Sequence, residues 1–520
     1  MLNPWLVIEA EVHQQLRAFL REQGEPYWPH HLTMARLVAR ALRLGRSALI
    51  QAGAPSGYHG RYRLSYVMPA LLWQGPTILV TPEAVQQRLL MVEIPRLRQW
   101  IPHQKPIRTG DRFPHQGFDG LLLTTPESWL SDRLKAEGRF PEQIPTILDG
   151  ADDLEDWTRQ ILTLPISTQD WEALTLACPD FSEEILDTRV QLTRTIFQHP
   201  VNPYDCYLLE QQERELLLKL RSRLLGDQDI AAERLPPPWQ QLWERLQQNN
   251  QMIWATVNRR MGQFSIHCAP AEVSSVLSPT WDQQPVVLVG GALELETEAP
   301  LYRDRLGLGE MTCVKFSPDR QSELVQLYLP EGLPLPNTPH FQAALMQELR
   351  TLLIANTARQ GLTVILVGDV PLKAQVGAIL AAEYGSRVQV EKTCLDDHGI
   401  LITGWEFWRQ NQAVIPAPAL LVITTLPIPS LENPLVASRV AYYKQQRQDW
   451  FRLYLLPTAL SELQRAIAPV RESQGVVALL DNRVNNRSYG QQVLAALNPL
   501  ARINYVDASL FTHFDCSLMD

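Results

Sequence analysis

Short apolar runs recur along the first part of the chain, each ending on polar or turn residues: SALIQ (47–51), TILVT (77–81), GLLLTT (120–125) and PTILD (145–149). Between them lie stretches such as AVQQRLLMVEIPRLRQW (84–100), whose apolar positions fall at helical spacing. Strands alternating with helices predict βαβ units and a parallel sheet. From about Glu155 to Asn258 the pattern changes. β-Branched runs become scarce, and segments such as YLLEQQERELLLKLRSRLL (207–225) and PPPWQQLWERLQQ (236–248) read as helices. Alternation resumes with VVLVGG (286–291). A second series then follows: TVILVGD (363–369), ILITG (400–404), ALLVITTLP (419–427), FRLYLLP (451–457), VVALLD (476–481) and INYVD (503–507). The expectation is an α/β chain of two parallel-sheet lobes. The first lobe covers 1–154 and 259–300, interrupted by a helical insertion over 155–258, and the second covers 301–520. The Pro-rich stretch LPEGLPLPNTP (329–339) reads as a loop near the junction.

Composition narrows the class without changing this picture. The chain has 520 residues, enough for several hydrophobic cores, and a formal net charge of −9, which argues against a polybasic nucleic-acid coat. No apolar run has the length of a membrane span, and the N-terminal MLNPWLVIEAEVHQQL has no basic segment ahead of an apolar core. A cytoplasmic protein with no membrane partner is expected. Cys178, Cys206, Cys268, Cys313, Cys394 and Cys516 are scattered, with no pair at metal-ligand spacing. No metal site is expected.

The strand ends carry a resemblance. SALIQAG followed after a gap by LSYVMPALL (64–72) is similar to the first motif of the DinG/XPD helicases. That motif is a strand, a Gly-rich loop with Lys-Thr, and a helix opening aliphatic-x-Tyr-x-x-Pro-Ala-Leu. ILVTPEAVQQRLLMVEIPRL (78–97), LLLTTPESWLSD (121–132) and TILDGADDLED (146–156) resemble the segments that follow, the last at the place of the DEAH box. In the second lobe, 400–440 resembles the Phe-Trp-Glu-Gly-Val-Asp motif and its Leu-Pro continuation, and 451–490 resembles the last motif with its Asp-x-Arg…Tyr-Gly tail. The resemblance spans about residues 28 to 500. It implies two RecA-like lobes with an arch-like insertion in the first.

The residues that do chemistry depart from the family pattern. A working site needs a Lys on the phosphates and a Ser/Thr on magnesium. The loop GAPSGYHGRYRLS (53–65) keeps Gly53, Gly57 and Gly60 but has no Lys-Ser or Lys-Thr pair, leaving Arg61 and Arg63 as the nearby cations. At the DEAH box, Asp149 keeps the metal-side position, while Gly150 replaces the water-activating glutamate. Gly290-Gly291-Ala292 stands where the family has Ser-Ala-Thr. Arg409, Gln410 and Gln412 replace the Glu, Gly and Asp after Phe407-Trp408. In the last motif Gln464 and Arg471 remain, and Ala468 replaces the first arginine. His31 occupies the place of the adenine-reading glutamine, and 60–149 contains no cysteine, so no iron–sulfur cluster is expected.

The resulting expectation is a pseudoenzyme with a degenerate P-loop. It is a helicase-like protein without catalytic residues or a required cofactor, binding single-stranded DNA or RNA weakly, or a protein complex, in a regulatory or scaffolding role. The candidate nucleic-acid contacts are Thr81, Pro82, Thr124, Thr125, Thr403, Phe407 and Trp408. Two alternatives stand beside it: a divergent, active ATP-dependent DNA helicase using ATP and magnesium, and a protein-interaction scaffold with no nucleic-acid role. Arg439, Lys444, Arg447, Arg452, Arg483 and Arg487 gather in the second lobe and bear on that choice.

Overall fold

The computed structural model describes residues 7–24, 27–53, 60–101, 103–226, 234–318, 324–356 and 361–506. Gly57 of the Gly-rich loop and Cys516 lie outside the described residues.

The first lobe is built on β1 (Ala48–Gln51), β2 (Thr77–Val80), β3 (Ile107–Thr109), β4 (Leu121–Thr124) and β5 (Thr146–Asp149). The chain then leaves for an inserted unit containing β6 (Leu164–Ile166), β7 (Cys206–Leu208), β8 (Gln251–Asn258) and β9 (Gln263–Pro270). It returns to the first lobe through β10 (Val286–Gly290) and β11 (Thr312–Lys315). The first sheet has seven strands in the order β11-β1-β10-β5-β2-β4-β3, all parallel. The second lobe holds β12 (Val325–Tyr328), β13 (Thr363–Leu366), β14 (Val388–Val390), β15 (Ile400–Thr403), β16 (Leu420–Ile423), β17 (Val476–Leu479) and β18 (Leu500–Ile503). These form a second seven-stranded parallel sheet, ordered β14-β15-β13-β16-β17-β12-β18.

Each sheet is buried on both faces, which is why its strands read as continuous apolar runs. The side-chain period of two sends Ile50, Leu79, Leu123 and Val289 to one face, packed under the helices Ile8–Gln23, His31–Leu44 and Leu64–Leu72. Their neighbours Leu49, Val80, Leu122 and Leu288 enter a separate cluster on the other face with Trp129 and Trp281. The second sheet divides in the same way between two clusters.

Several expectations need correction. The insertion is not purely helical. The helices Thr168–Ala177, Ser182–Gln198, Gln211–Gly226 and Pro237–Arg245 pack on a four-stranded antiparallel sheet, β6-β9-β8-β7, whose hairpin runs past 258 to Pro270. Strand β8 hides from the sequence because both its faces are covered. Ile253, Ala255 and Val257 face the insertion's own core. Met252 and Trp254 pack toward Leu435 and Tyr442 of the second lobe, so no polar alternation marks the strand. The boundary at 300/301 is also displaced. β11 pairs with β1 in the first sheet, so the chain passes between lobes after Lys315 and before Val325, and the Pro-rich stretch lies inside the second lobe.

FRLYLLP is not a strand. It forms a π turn, Phe451–Leu455, leading into the helix Leu456–Glu472, with Tyr454, Leu455, Ala459 and Leu463 buried at helical spacing. The last strand is Leu500–Ile503 rather than a segment starting at Ile503, and Asp507 lies outside the described residues.

Candidate nucleotide cleft and nucleic-acid face

The carboxyl ends of the first sheet's central strands face the second lobe across a cavity of about 440 Å³. In open α/β sheets, ligands bind outside the carboxyl ends of the strands. The cavity is lined from the first lobe by Tyr62, Arg63, Asp149, Gly150 and Asp152, and from the second by Arg409, Arg465 and Ala468.

Asp149 ends β5 and is buried. The Tyr62 hydroxyl donates to its Oδ1. The Tyr66 hydroxyl donates to its Oδ2 at 2.8 Å, and the Arg63 Nε lies 3.4 Å from the same oxygen. Burial first, and the Asp149 charge second, push both tyrosine hydroxyls well above their ordinary range, so they are donors at neutral pH. Burial alone would lower the Arg63 guanidinium, but Asp149 together with Tyr66, Tyr62 and Glu93 more than offsets it and holds it firmly protonated. The helix Leu64–Leu72 carries the Leu-x-Tyr-x-x-Pro-Ala-Leu opening, and the family pattern places Lys-Thr immediately before it. Tyr62 and Arg63 stand there. Of the two nearby cations, Arg63 faces Asp149 and Arg61 is turned to the second lobe.

Gly150 follows Asp149 at φ 90°, and a Cβ there would lie 2.9 Å from the Trp157 ring, so the turn is shaped against any side chain. Asp152 accepts from the Gly291 and Ala292 amides at 2.7 and 2.6 Å and thereby joins the β5 and β10 ends. Gly53 has φ 90°, and Gly60 turns the chain at φ 63° into the Arg61–Arg63 turn. Arg61 reaches across to Glu472 of the second lobe at 2.8 Å.

The motif-like residues of the helix Leu456–Glu472 diverge. Ala468, where the resemblance expects an arginine, lines the cavity. Gln464 lines a neighbouring cavity of about 280 Å³ instead. Arg471 is buried away from the cleft, donating to the Leu497, Asn498 and Pro499 carbonyls. His31 is buried too, 2.8 Å from Ser65 Oγ, with its ring edge-on to Trp28. Among the described residues no group of three His, Cys, Asp or Glu is arranged to hold a metal ion.

The candidate nucleic-acid contacts fare unevenly. Thr81, Thr124 and Thr403 are buried at strand ends, and the Thr125 hydroxyl caps the helix Pro126–Lys135 by accepting from Ser128 N. Trp408 is corrected outright: it is 1% exposed, and its Nε1–H donates to the Ala466 carbonyl, so it cannot stack on a base. Pro82 lines the nucleotide-side cavity, and Phe407 is half-buried against the second lobe's core. The basic group also separates. Arg439 is buried on Glu155, and Arg483 pairs with Asp481. Lys444, Arg447, Arg452 and Arg487 are exposed, with Lys444 Nζ 5.2 Å from the half-buried Trp450 ring.

Comparisons with known proteins agree with this architecture. The XPD helicase structure superposes with a TM-score of 0.58 over 92% of this chain and 100% of that one, at 10% identity. Xpd4 of S. tokodaii gives the same TM-score and coverage at 12% identity. The fold of this chain is that of these XPD structures. Residues 417–500 match the family model of the helicase C-terminal domain. In sequence, the chain is 24% identical over 260 residues to the ATP-dependent DNA helicase YoaA of Haemophilus influenzae, covering 47% of this chain and 40% of that protein. It is 23% identical over 430 residues to YoaA of Escherichia coli, covering 74% and 67%. The chain therefore spans well under half of the first relative and about two thirds of the second. Among the described residues no helix is long and apolar enough to cross a membrane.

Proposed function

We propose that this XPD/DinG-like chain is a catalytically silent helicase-fold protein that binds single-stranded nucleic acid without consuming ATP. The observation that carries the reading is the state of Asp149. Both its oxygens are engaged by Tyr62, Tyr66 and Arg63, which leaves little room for a magnesium ion in its first coordination sphere. Gly150 offers no base, and Ala468 offers no charge to a transferring phosphoryl group, a contribution worth about 10³–10⁵ in rate where an arginine supplies it.

Nucleic-acid binding is supported by the second lobe's exposed face. On a chain of net charge −9, Lys444, Arg447, Arg452 and Arg487 are exposed on the second lobe, Lys444 Nζ lies 5.2 Å from the centre of the half-buried Trp450 ring, and Asp449 pairs with Arg452. Exposed cations with a partly exposed ring among them suit a phosphate backbone and a stacked base. The expected affinity is about 10⁻⁴–10⁻⁶ M at physiological salt.

Two assays decide it. Phosphate release with and without single strands is expected to stay at background. Turnover of about 1 s⁻¹ that disappears in Asp149→Ala would establish the active ATP-dependent helicase that the names of the relatives describe. Fluorescence anisotropy with a labelled single strand is expected to show salt-sensitive binding that ATP–magnesium does not alter, weakened in Lys444→Ala/Arg447→Ala/Arg487→Ala. No binding even at low salt selects the protein-interaction scaffold.

A further inference from the structure

In a two-lobed nucleotide-driven machine, a bound magnesium nucleotide does two electrostatic jobs. Its metal neutralises the carboxylate at the end of the central strand, and its phosphates join cations of both lobes. Here both jobs are done by side chains. Arg63 sits against Asp149 on the metal side. Around the mouth of the same cavity, two ion pairs cross from lobe to lobe. Arg61, beside the Gly-rich loop, meets Glu472 at 2.8 Å, and Asp153, just after β5, meets Arg465 at 2.7 Å. Arg61 and Asp153 belong to the first lobe's nucleotide-side segments, and Glu472 and Arg465 to the helix that carries the second lobe's last motif.

A third crossing lies deeper. Glu155 receives Arg439 of the second lobe at 2.5 Å, Arg159 at 2.6 Å and Arg305. The Arg439 guanidinium also lies 3.9 Å from the Tyr454 ring centre. Between these pairs the Ser461 hydroxyl donates to the Ala292 carbonyl at 2.8 Å, a neutral cross-lobe bond at the edge of the cavity.

We propose that this chain carries its own ionic replacement for the magnesium nucleotide: Arg63 stands in for the metal, and the Arg61–Glu472, Asp153–Arg465 and Glu155–Arg439 pairs stand in for the phosphate bridge. The two lobes are thereby latched together independently of ATP. This deepens the reading of the cleft as silent and rests on it, but it is independent of whether the second lobe binds nucleic acid. The logic is one of linkage. A ligand shifts a conformational equilibrium only by its differential affinity for the two states. A cleft whose cross-lobe charges are already matched leaves a nucleotide little to add on closure. The cavity wall itself sets Asp149, Asp152, Asp153 and Asp156 against Arg63, Arg409 and Arg465, so most of its charges already have partners of opposite sign.

Small-angle scattering of the full chain, without nucleic acid, tests the latch. The native protein is expected to give one compact profile, unchanged by saturating ATP–magnesium. Arg465→Glu combined with Glu472→Arg places like charges at both outer pairs and is expected to shift the profile to a larger radius of gyration. Circular dichroism and a thermal melt report separately whether each lobe stays folded. The exchange Asp153→Arg with Arg465→Asp restores opposite charges in reversed order and is expected to return the compact profile, a result that a merely misfolded variant does not give. Expansion of the native protein without nucleotide and compaction on ATP–magnesium would overturn the proposal. So would a compact profile in Arg465→Glu/Glu472→Arg, which would mean that these pairs hold nothing. Either result is read without reference to strand binding or phosphate release, so the latch can fail while the silent reading stands.

Discussion

At the scale of single residues, Glu155 is a buried charge shared by three arginines, and the segment 146–156 that contains it does not disclose those partners. It is 8% exposed, and three arginines converge on it from its own helix, from the helix Pro300–Leu306 and from the second lobe. Burial alone would raise its carboxyl, but Arg305, Arg439 and Arg159 hold it well below the usual carboxylate range. Removing one member of a buried ion group leaves the others desolvated and unmatched. Glu155→Ala is therefore expected to destabilise the protein by roughly 3–5 kcal/mol. Arg452→Ala is the control: the side chain is exposed and only 3.8 Å from exposed Asp449, so the expected change is within about 1 kcal/mol. Denaturant midpoints at constant slope measure both. Equal effects would show that the Glu155 group behaves as an ordinary surface cluster.

Residues also show where sequence reading stopped. That Gly150 follows the buried Asp149 at the end of β5 was legible, because the apolar run TIL fixes where the strand ends. The partners of Asp149 were not, because a hydrogen bond between β5 and the turn before Leu64 joins residues far apart in the chain. The burial of Trp408 was equally hidden. A tryptophan at the end of a strand reads as a stacking platform or as core, and only packing against the helix Leu456–Glu472 decides between them.

At the scale of elements, the inserted unit has a hydrophobic cluster separate from those of the two lobes. Trp239 is fully buried at its centre, 4.5 Å from the Trp171 ring and 5.3 Å from Trp243, with its Nε1–H donating to Asp170 O at 2.9 Å. Trp239→Ala is expected to cost about 3–5 kcal/mol, and because the cluster is a unit of its own, the cost should be local. Hydrogen exchange should accelerate in peptides from 164–270 and stay unchanged in β13, β16 and β17. Uniform acceleration across the chain would instead show that insertion and lobes unfold as one cooperative body.

The same scale explains which elements the sequence disclosed. The central strands of both lobes were legible, their starts within a residue and their ends within about four, because two-sided burial in a parallel sheet leaves apolar runs with polar ends. Strand β11, with Cys313 and Val314 only half-buried at the sheet edge, left no such run, and the lobe boundary was misplaced as a result. FRLYLLP misled in the other direction. Its apolar density suits a strand, while its three- and four-residue spacing, continued through Ala459 and Leu463, belongs to a helix.

At the scale of the whole molecule, the cross-lobe contacts predict how the protein responds to acid. The ordinary glutamate value is 4.5, and that of Glu155 in the fold lies well below it. A carboxylate depressed in the folded state contributes stability that is fully present above the unfolded value and is lost as pH falls through the folded one. This contact should therefore weaken only below about pH 4.5, while between pH 5 and 8 Glu155 adds no pH dependence of its own. Thermal melts of the native protein and Glu155→Gln across pH 3–8 measure it. The gap between them is expected to be constant at neutral pH and to narrow below about pH 4.5. A gap that narrows between pH 6 and 7 would place the titration on another group.

The sequence by itself determined two parallel-sheet lobes and an insertion between β5 and β10, and it puts Tyr62-Arg63 before the Leu64–Leu72 helix and Gly150 after Asp149. Those features are local: they rest on periodicity within a run and on residue type at a strand end. Tertiary structure alone decided which charges meet around the cleft. Arg63 reaches Asp149, Arg61 reaches Glu472, Arg465 reaches Asp153 and Arg439 reaches Glu155 only once segments tens to hundreds of residues apart are brought together. A charge in a sequence has no partner until the fold supplies the distance. The interaction falls steeply with separation and with solvent between the charges, so its strength belongs to the assembled cleft rather than to any segment of the chain.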